Sequence, residues 1–300
     1  MAIPATAVGR DLGQSVLSVT PRMTMAYAAG LGASDACYLD DLRPGGIVAP
    51  PPFCVVLEWP LVSGPAFREL TRTSDAQGWG SIHVSQDSFF HKPIRPGRSY
   101  LTRGLLTQVR PTRVGACIGA KLVTCERDSG APVVTSWFAA IVLGVEVEGP
   151  ATVAEQAPEL EPIATADANR LAWTSIAIAR QLPHVYTECA SIWNPIHTER
   201  AVARSVGLPD IILHGTATWA LAGLGVVQRL AGGDPTRLRR LGGHFKGRVI
   251  PGSIITLGCH ADGSDSGGVQ FEVRNAEGEV ALANGRATLA ASAETTKDPS

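Results

Sequence analysis

Val, Ile, Thr and aromatic residues crowd into three stretches of the first half of the chain, Ser99 to Val109, Ala116 to Cys125 and Pro132 to Leu143. They do so again in three stretches of the second half, Ile254 to His260, Gly268 to Val273 and Val280 to Ala290. Gly, Asp, Ser and Asn interrupt the stretches, which is the pattern of antiparallel strands joined by hairpins. Each set follows a copy of the same short element. Phe90-His91-Lys92-Pro93-Ile94-Arg95-Pro96-Gly97 recurs as Phe245-Lys246-Gly247-Arg248-Val249-Ile250-Pro251-Gly252, with Phe, Pro and Gly in the same relative places. A helix is expected ahead of each meander. The clearer one is in the second half, where Thr216 to Val227 is apolar on nearly every side and should be buried. An apolar helix followed by antiparallel strands, written twice, predicts an α+β architecture in which each sheet wraps its own central helix. Glu146 to Asp167 is rich in Glu, Pro and Ala and reads as an extended connection. The expected organisation is therefore residues 1–148, a linker at 149–167, and residues 168–300.

Composition narrows the function class. With 300 residues, 45% of them hydrophobic, the chain can bury two sizeable cores. It has 26 basic and 27 acidic residues and no basic run, so neither nucleic acid nor a membrane surface is an expected partner. The N-terminus has no apolar signal core, and no stretch approaches the roughly 18 to 20 apolar residues that span a bilayer, so a cytoplasmic location is expected. Cys37, Cys54, Cys117, Cys125, Cys189 and Cys259 include no C-x-x-C pair and predict neither zinc site nor disulfide framework. A Gly-rich phosphate loop is also lacking, so no metal, nucleotide or other cofactor is expected.

The chemistry is concentrated in Tyr186-Thr187-Glu188-Cys189-Ala190-Ser191-Ile192-Trp193-Asn194-Pro195-Ile196-His197, followed by Leu213-His214-Gly215-Thr216. An imidazole titrates near neutrality, so His197 can take a proton from a nucleophile and return one to a substrate carbon. Its bland alternative is a turn cap after Asn194-Pro195. Gly215 permits close backbone approach at the start of the apolar helix, where unpaired N–H groups and the dipole favour negative charge on a carbonyl oxygen. His214 is expected to be structural, fixing the entry of that helix. The segment resembles the signature of MaoC-like and R-specific enoyl-CoA hydratases. In that signature Ser-Gly-Asp, any residue, Asn-Pro, an aliphatic and His precede a His-Gly pair by some fifteen to twenty residues. Asn194, Pro195, His197, His214 and Gly215 match it by position. The resemblance implies a double hot-dog fold, an acyl thioester of coenzyme A or acyl carrier protein as partner, and chemistry around His197 with the helix N-terminus polarising the thioester carbonyl. Ile192, Trp193, His214 and Thr216 are the implied substrate-binding neighbours. Whether the chain pairs with a second copy is left open.

One departure changes the expected chemistry. The family's aspartate lies five residues before the histidine, where this chain has Ile192. Glu188, four residues earlier, is a possible stand-in if both positions share a helix face, its bland alternative being a solvated charge. In the first half, Tyr38 aligns with His197 and Ala49-Pro50-Pro51 with Leu213-His214-Gly215, so no acid/base pair survives there. Tyr38, Phe53 and Trp59 are then candidates for an acyl tunnel, with plain core packing as the competing role. Lys246 and Arg248, with Lys92, Arg95 and Arg98, flank the Pro-Gly turns where a phosphate could meet cationic side chains. One imidazole and an oxyanion site without the aspartate suit addition of an amine such as glycine to an enoyl thioester, thioester hydrolysis releasing a β-amino acid, or both. That combination resembles bifunctional thioesterases of actinobacterial natural-product pathways. The alternatives are a conventional R-specific enoyl hydratase or 3-hydroxyacyl dehydratase using water, and a non-catalytic hot-dog partner subunit.

Overall fold

The structure is a computed structural model that describes residues 2–71, 81–263 and 266–291. In chain order the first strands are β1 (Ala2–Pro4), β2 (Asp11–Val19), β3 (Ser81–Phe90), β4 (Arg98–Thr112), β5 (Gly115–Glu126), β6 (Pro132–Leu143), β7 (Glu146–Glu148) and β8 (Thr152–Val153). The second half adds β9 (Ala172–Ala177), β10 (Leu238–Phe245), β11 (Ile254–Ala261), β12 (Gly268–Arg274) and β13 (Val280–Leu289). The helices are α1 (Pro21–Gly30), α2 (Ala36–Leu39), α3 (Cys54–Val62), α4 (Pro65–Thr71), α5 (Thr165–Ala168), α6 (Leu182–Ala190), α7 (Arg200–Ser205) and α8 (Gly215–Leu230).

All but two of these strands join into one antiparallel sheet in the order β2-β4-β5-β6-β3-β10-β13-β12-β11-β9, with β8 paired beside β4, while β1 and β7 pair in parallel as a separate two-stranded sheet. The first half of the chain fills one end and the second half the other, in the same internal order. They meet at β3 and β10, where Arg240 lies opposite Phe89 and Gly242 opposite Asp87. This seam was not expected from the sequence, which suggested a separate sheet for each half. Arg240 grips the buried Asp87 carboxylate with two bonds across it, Nε to Oδ1 at 3.0 Å and Nη2 to Oδ2 at 2.8 Å. Gly242 makes room for this pair, since a Cβ there would lie 2.5 Å from Asp87 Oδ1.

Both halves have the predicted plan of a helix embraced by a sheet. α8 is the central helix of the second half, longer by a few residues than the expected Thr216–Val227. Its Ala217, Trp219, Ala220, Ala222, Val226 and Val227 are all buried, and burial of such apolar surface is the main force holding it in place. Gly223 and Gly225 let it settle onto the sheet, because a Cβ would come within 2.6 Å of Leu241 and 2.3 Å of Leu257. α3, entered through a tight turn at Pro51–Phe53, is the counterpart in the first half. The layers also touch through α1 and α6, where Tyr27 and Tyr186 pack with ring centroids 5.8 Å apart. Tyr27 Oη donates to Pro52 O at 3.0 Å. No helix among the described residues is long and apolar enough to cross a membrane.

Candidate active site

α6 ends at Ala190, and Ser191 takes up a left-handed conformation with φ 53°. That reversal lifts the following residues out of the helical register. Ile192 turns inward and is buried, while Trp193 turns outward and is 55% exposed. Asn194 then caps a single 3-10 turn, Pro195–His197: its Oδ1 accepts from Ile196 N–H at 3.3 Å and its carbonyl from His197 N–H at 3.0 Å. The Asn-Pro pair is thus the device that presents His197.

His197 Nδ1 lies 2.9 Å from Ile212 O. A carbonyl can only accept, so Nδ1 carries the proton and the Nε2 lone pair is the free basic site. Burial pushes the pKa of this ring down to about 4, which keeps it neutral at physiological pH. The ring stacks on His214, with centroids 3.8 Å apart. His214 is fully enclosed, 3.1 Å from Thr187 Oγ1 through Nε2, and burial together with the neighbouring His197 holds its pKa well below the ordinary value. Directly after it α8 begins. The first intrahelical bonds run from Ala217 and Thr218 N–H to His214 O, so the N–H groups of Gly215 and Thr216 precede them at the dipole's positive end. The side chain of Phe245 fixes the space in front of Gly215, where a Cβ would meet its ring at 3.1 Å.

These groups share one cavity of about 500 Å³, which Ile192, Asn194, His197, His214, Gly215 and Thr216 all line. Exposed Lys246 and Arg248 stand on its wall beside Ile212 and Val249. Trp59 lines it from the first half, as does a polar group formed by Glu58, His83 and Gln86 that sequence reasoning missed. The only local sign of that group is a single carboxylate in the apolar helix Cys-Val-Val-Leu-Glu-Trp-Pro-Leu-Val.

Several expected site residues lie elsewhere. Glu188 is exposed on α6 and does not line the cavity, because the left-handed Ser191 breaks the helical spacing that would have set it beside Ile192. Trp193 lies outside for the same reason. Tyr38 and Phe53 are fully buried core residues and are not on the cavity wall, and Phe53 packs edge-on against Tyr27 with centroids 5.3 Å apart. Among the other basic residues, Arg98 pairs with Glu126, Arg95 bonds to Gly45 O, and Lys92 borders a different hollow. That hollow, of only about 20 Å³, is walled in part by Ala49, Pro51 and Phe90, the residues that repeat the Leu213, Gly215 and Phe245 positions. The first copy of the site has therefore closed up.

Comparison with known proteins identifies similar sequences and folds. Residues 165–281 match the family described as MaoC like domain, and residues 6–136 match the FAS1-like dehydratase domain region. A 3-hydroxyacyl-thioester dehydratase Y of Mycobacterium tuberculosis is 23% identical over 85% of this chain and 87% of its own length. A Dictyostelium discoideum protein named "Probable enoyl-CoA hydratase 2" is 26% identical, and the match spans 58% of each chain. In structure, a MaoC-like dehydratase from Phytophthora capsici superposes with a TM-score of 0.76 over 95% of this chain and 97% of that one, at 18% identity. A Mycobacterium tuberculosis protein described as having a double hotdog fold superposes with a TM-score of 0.61 over 94% and 96%, at 13% identity.

Proposed function

From the premise that this chain is a MaoC-like double hot-dog protein, we propose that it adds a nucleophile to the β-carbon of a 2-enoyl thioester, or catalyses the reverse elimination. Water is one such nucleophile, in keeping with relatives named as a hydratase and a dehydratase. One observation carries the reading: a neutral imidazole with a free Nε2 and the bare N-terminus of a buried helix line the same cavity. In the addition, Nε2 of His197 takes a proton from the nucleophile as its heavy atom bonds to the β-carbon. The electron pair of the carbon–carbon double bond shifts to the bond between the α-carbon and the carbonyl carbon as the carbonyl pair moves onto the thioester carbonyl oxygen, which Gly215 and Thr216 N–H stabilise. The imidazolium then returns its proton to the α-carbon. Burial makes that imidazolium a strong acid and the neutral ring a weak base, which favours the protonation step over proton removal. Lys246 and Arg248 suit the phosphates of a pantetheine carrier, whether coenzyme A or acyl carrier protein.

A specific observation favours a second nucleophile. Ile192 is 3% exposed and occupies the position at which the family's signature has a carboxylate, and Glu188 does not replace it. An isoleucine offers no hydrogen bond with which to orient a water molecule. A neutral amine such as glycine attacks without that help and loses its extra proton readily to one base, and the same oxyanion site serves thioester hydrolysis. Incubation with a crotonyl thioester, with and without glycine, followed by mass measurement, decides among these: water adduct for a hydratase, glycine adduct or free acid for the second reading, and no change for a non-catalytic partner subunit.

A further inference from the structure

The cavity that holds His197 extends into the first half of the fold, and its wall there is not wholly apolar. Glu58 is the one carboxylate of α3 and is only 3% exposed. Gln86 Nε2 donates to its Oε2 at 3.0 Å and Ser136 Oγ donates to its Oε1 at 2.5 Å. Behind them, Gln86 Nε2 also donates to Ser88 Oγ at 3.0 Å, Cys54 Sγ lies 3.7 Å from the same oxygen, and Ser88 and Ser136 hydroxyls are 2.8 Å apart. Since Ser88 accepts from Gln86 and Cys54, its own proton goes to Ser136, whose proton goes to Glu58. Every hydrogen of the network therefore points toward the carboxyl group.

His83 stands between this cluster and the reacting end. Its ring packs against Phe138 and Phe245, at centroid distances of 4.4 and 4.6 Å, and Phe245 in turn covers Gly215. Nε2 lies 2.9 Å from Ser85 O, so the neutral ring donates there and keeps its lone pair at Nδ1. Burial lowers the pKa of His83 to about 4 and raises that of Glu58 to about 7. A wall that served only to pack a hydrocarbon chain would gain from Leu or Met at position 58, because burying a carboxyl group carries a desolvation cost that its hydrogen bonds must offset. What the cluster offers the cavity is an acceptor, the remaining lone pairs of Glu58, since the His83 ring also bonds to the Gln86 side chain. Both hydrogens of the Gln86 amide are already engaged.

We propose that this wall selects acyl thioesters whose chain carries a hydrogen-bond donor, a hydroxyl or a protonated amine, several atoms beyond the carbons that react. The proposal rests on the reading of this cavity as an acyl-thioester site. Its test is equilibrium binding of unreactive saturated probes, octanoyl pantetheine against its 6-, 7- and 8-hydroxy and 8-amino counterparts, measured by calorimetry on the full chain. At least one donor-bearing probe should bind roughly tenfold or more tightly than octanoyl pantetheine, the scale of a hydrogen bond to a charged acceptor. Glu58→Leu should abolish that preference while octanoyl pantetheine still binds, and Glu58→Gln should weaken the amine more than the hydroxyl. Octanoyl pantetheine binding as tightly as every donor-bearing probe overturns the proposal on the native protein alone, whatever the variants do. A preference that persists in Glu58→Leu overturns the assignment to Glu58. Binding without preference leaves the acyl-thioester reading standing, whereas absence of binding by all the probes overturns both.

Discussion

His197 and His214 lie face to face, their ring centroids 3.8 Å apart and their planes 28° from parallel. The two rings are nonetheless held for different ends. His214 is locked by Thr187 at the base of α8, whereas His197 is tied at Nδ1 only and leaves Nε2 to the cavity. His197→Ala should lower kcat by about a hundredfold or more, the usual scale for loss of an acid/base group, while costing no more than about 1 kcal/mol of stability for the Ile212 bond. His214→Ala should cost more stability than His197→Ala, because it empties a fully enclosed position. Steady-state rates on a crotonyl thioester and urea unfolding of both variants check the contrast, and full activity in folded His197→Ala would remove this residue from the mechanism.

Protonation of the buried histidines sets the acid behaviour. His197 and His83 titrate near 4 in the folded chain and His214 lies below its ordinary value, while in the unfolded chain all three return to about 6.5. The unfolded state therefore binds more protons between those values, so stability is full above about pH 6.5 and falls as pH drops toward 4. Glu58 acts with the opposite sign. Its folded pKa of about 7 exceeds its unfolded one, so its contribution is complete below the ordinary carboxyl range and is lost as pH rises through 7. Between about pH 4.5 and 6.5 the Glu58 contribution therefore offsets part of the histidines' rise, so thermal melts across pH 4 to 9 should show a steeper rise in Glu58→Gln than in the native chain. If His197 must be neutral to act, kcat should stay level down to about pH 5 and decline below it.

How much of this was legible in the residues depended on whether the determining contacts were local. Pro132 to Leu143 is a strand as its β-branched content predicted, and the other five meander strands differ from expectation only at their ends. The apolar Thr216–Val227 pattern marked α8, since a helix without a polar face must be buried. β3 and β10 were not anticipated as the seam of the sheet, because their polar residues find partners far along the chain: Asp87 at Arg240, Gln86 at Glu58. In the site, motif spacing put Asn194, His197, His214 and Gly215 in one cavity, but helical spacing misplaced Glu188, since nothing local announced that Ser191 would adopt a positive φ. Glu58 and His83 escaped notice for the converse reason: they enter the cavity from the other half of the fold.

The Asp87–Arg240 pair ties the halves together, and both Asp87 oxygens are engaged in a nearly water-free position. Asp87→Ala should destabilise the chain by about 2 to 4 kcal/mol, somewhat less than a fully buried pair because Arg240 keeps partial access to water. Combining it with Arg240→Leu should recover part of that loss, since no cation is then left without its partner. A cycle of urea denaturation curves measures the coupling, and a loss below 1 kcal/mol in Asp87→Ala would show that the seam is held by packing instead.

Ile192 separates the two nucleophiles most sharply. Its side chain is buried against the cavity that His197 lines, where an apolar surface disfavours an ordered water and leaves an amine as the productive nucleophile. Ile192→Asp places a carboxyl group at the position of the family's acid. If the native enzyme is a poor hydratase for want of that group, the variant should hydrate a crotonyl thioester at least tenfold faster and add glycine more slowly. Burial will raise the pKa of the new carboxyl group, so the gain in hydration should grow from neutral to mildly alkaline pH as it ionises. Both products are to be measured by mass at each pH, once the variant's thermal transition shows that it has folded, because an unpaired buried carboxylate is itself destabilising. Fast hydration by the native chain, at a rate that Ile192→Asp does not increase, would establish water as its nucleophile and end the amine reading.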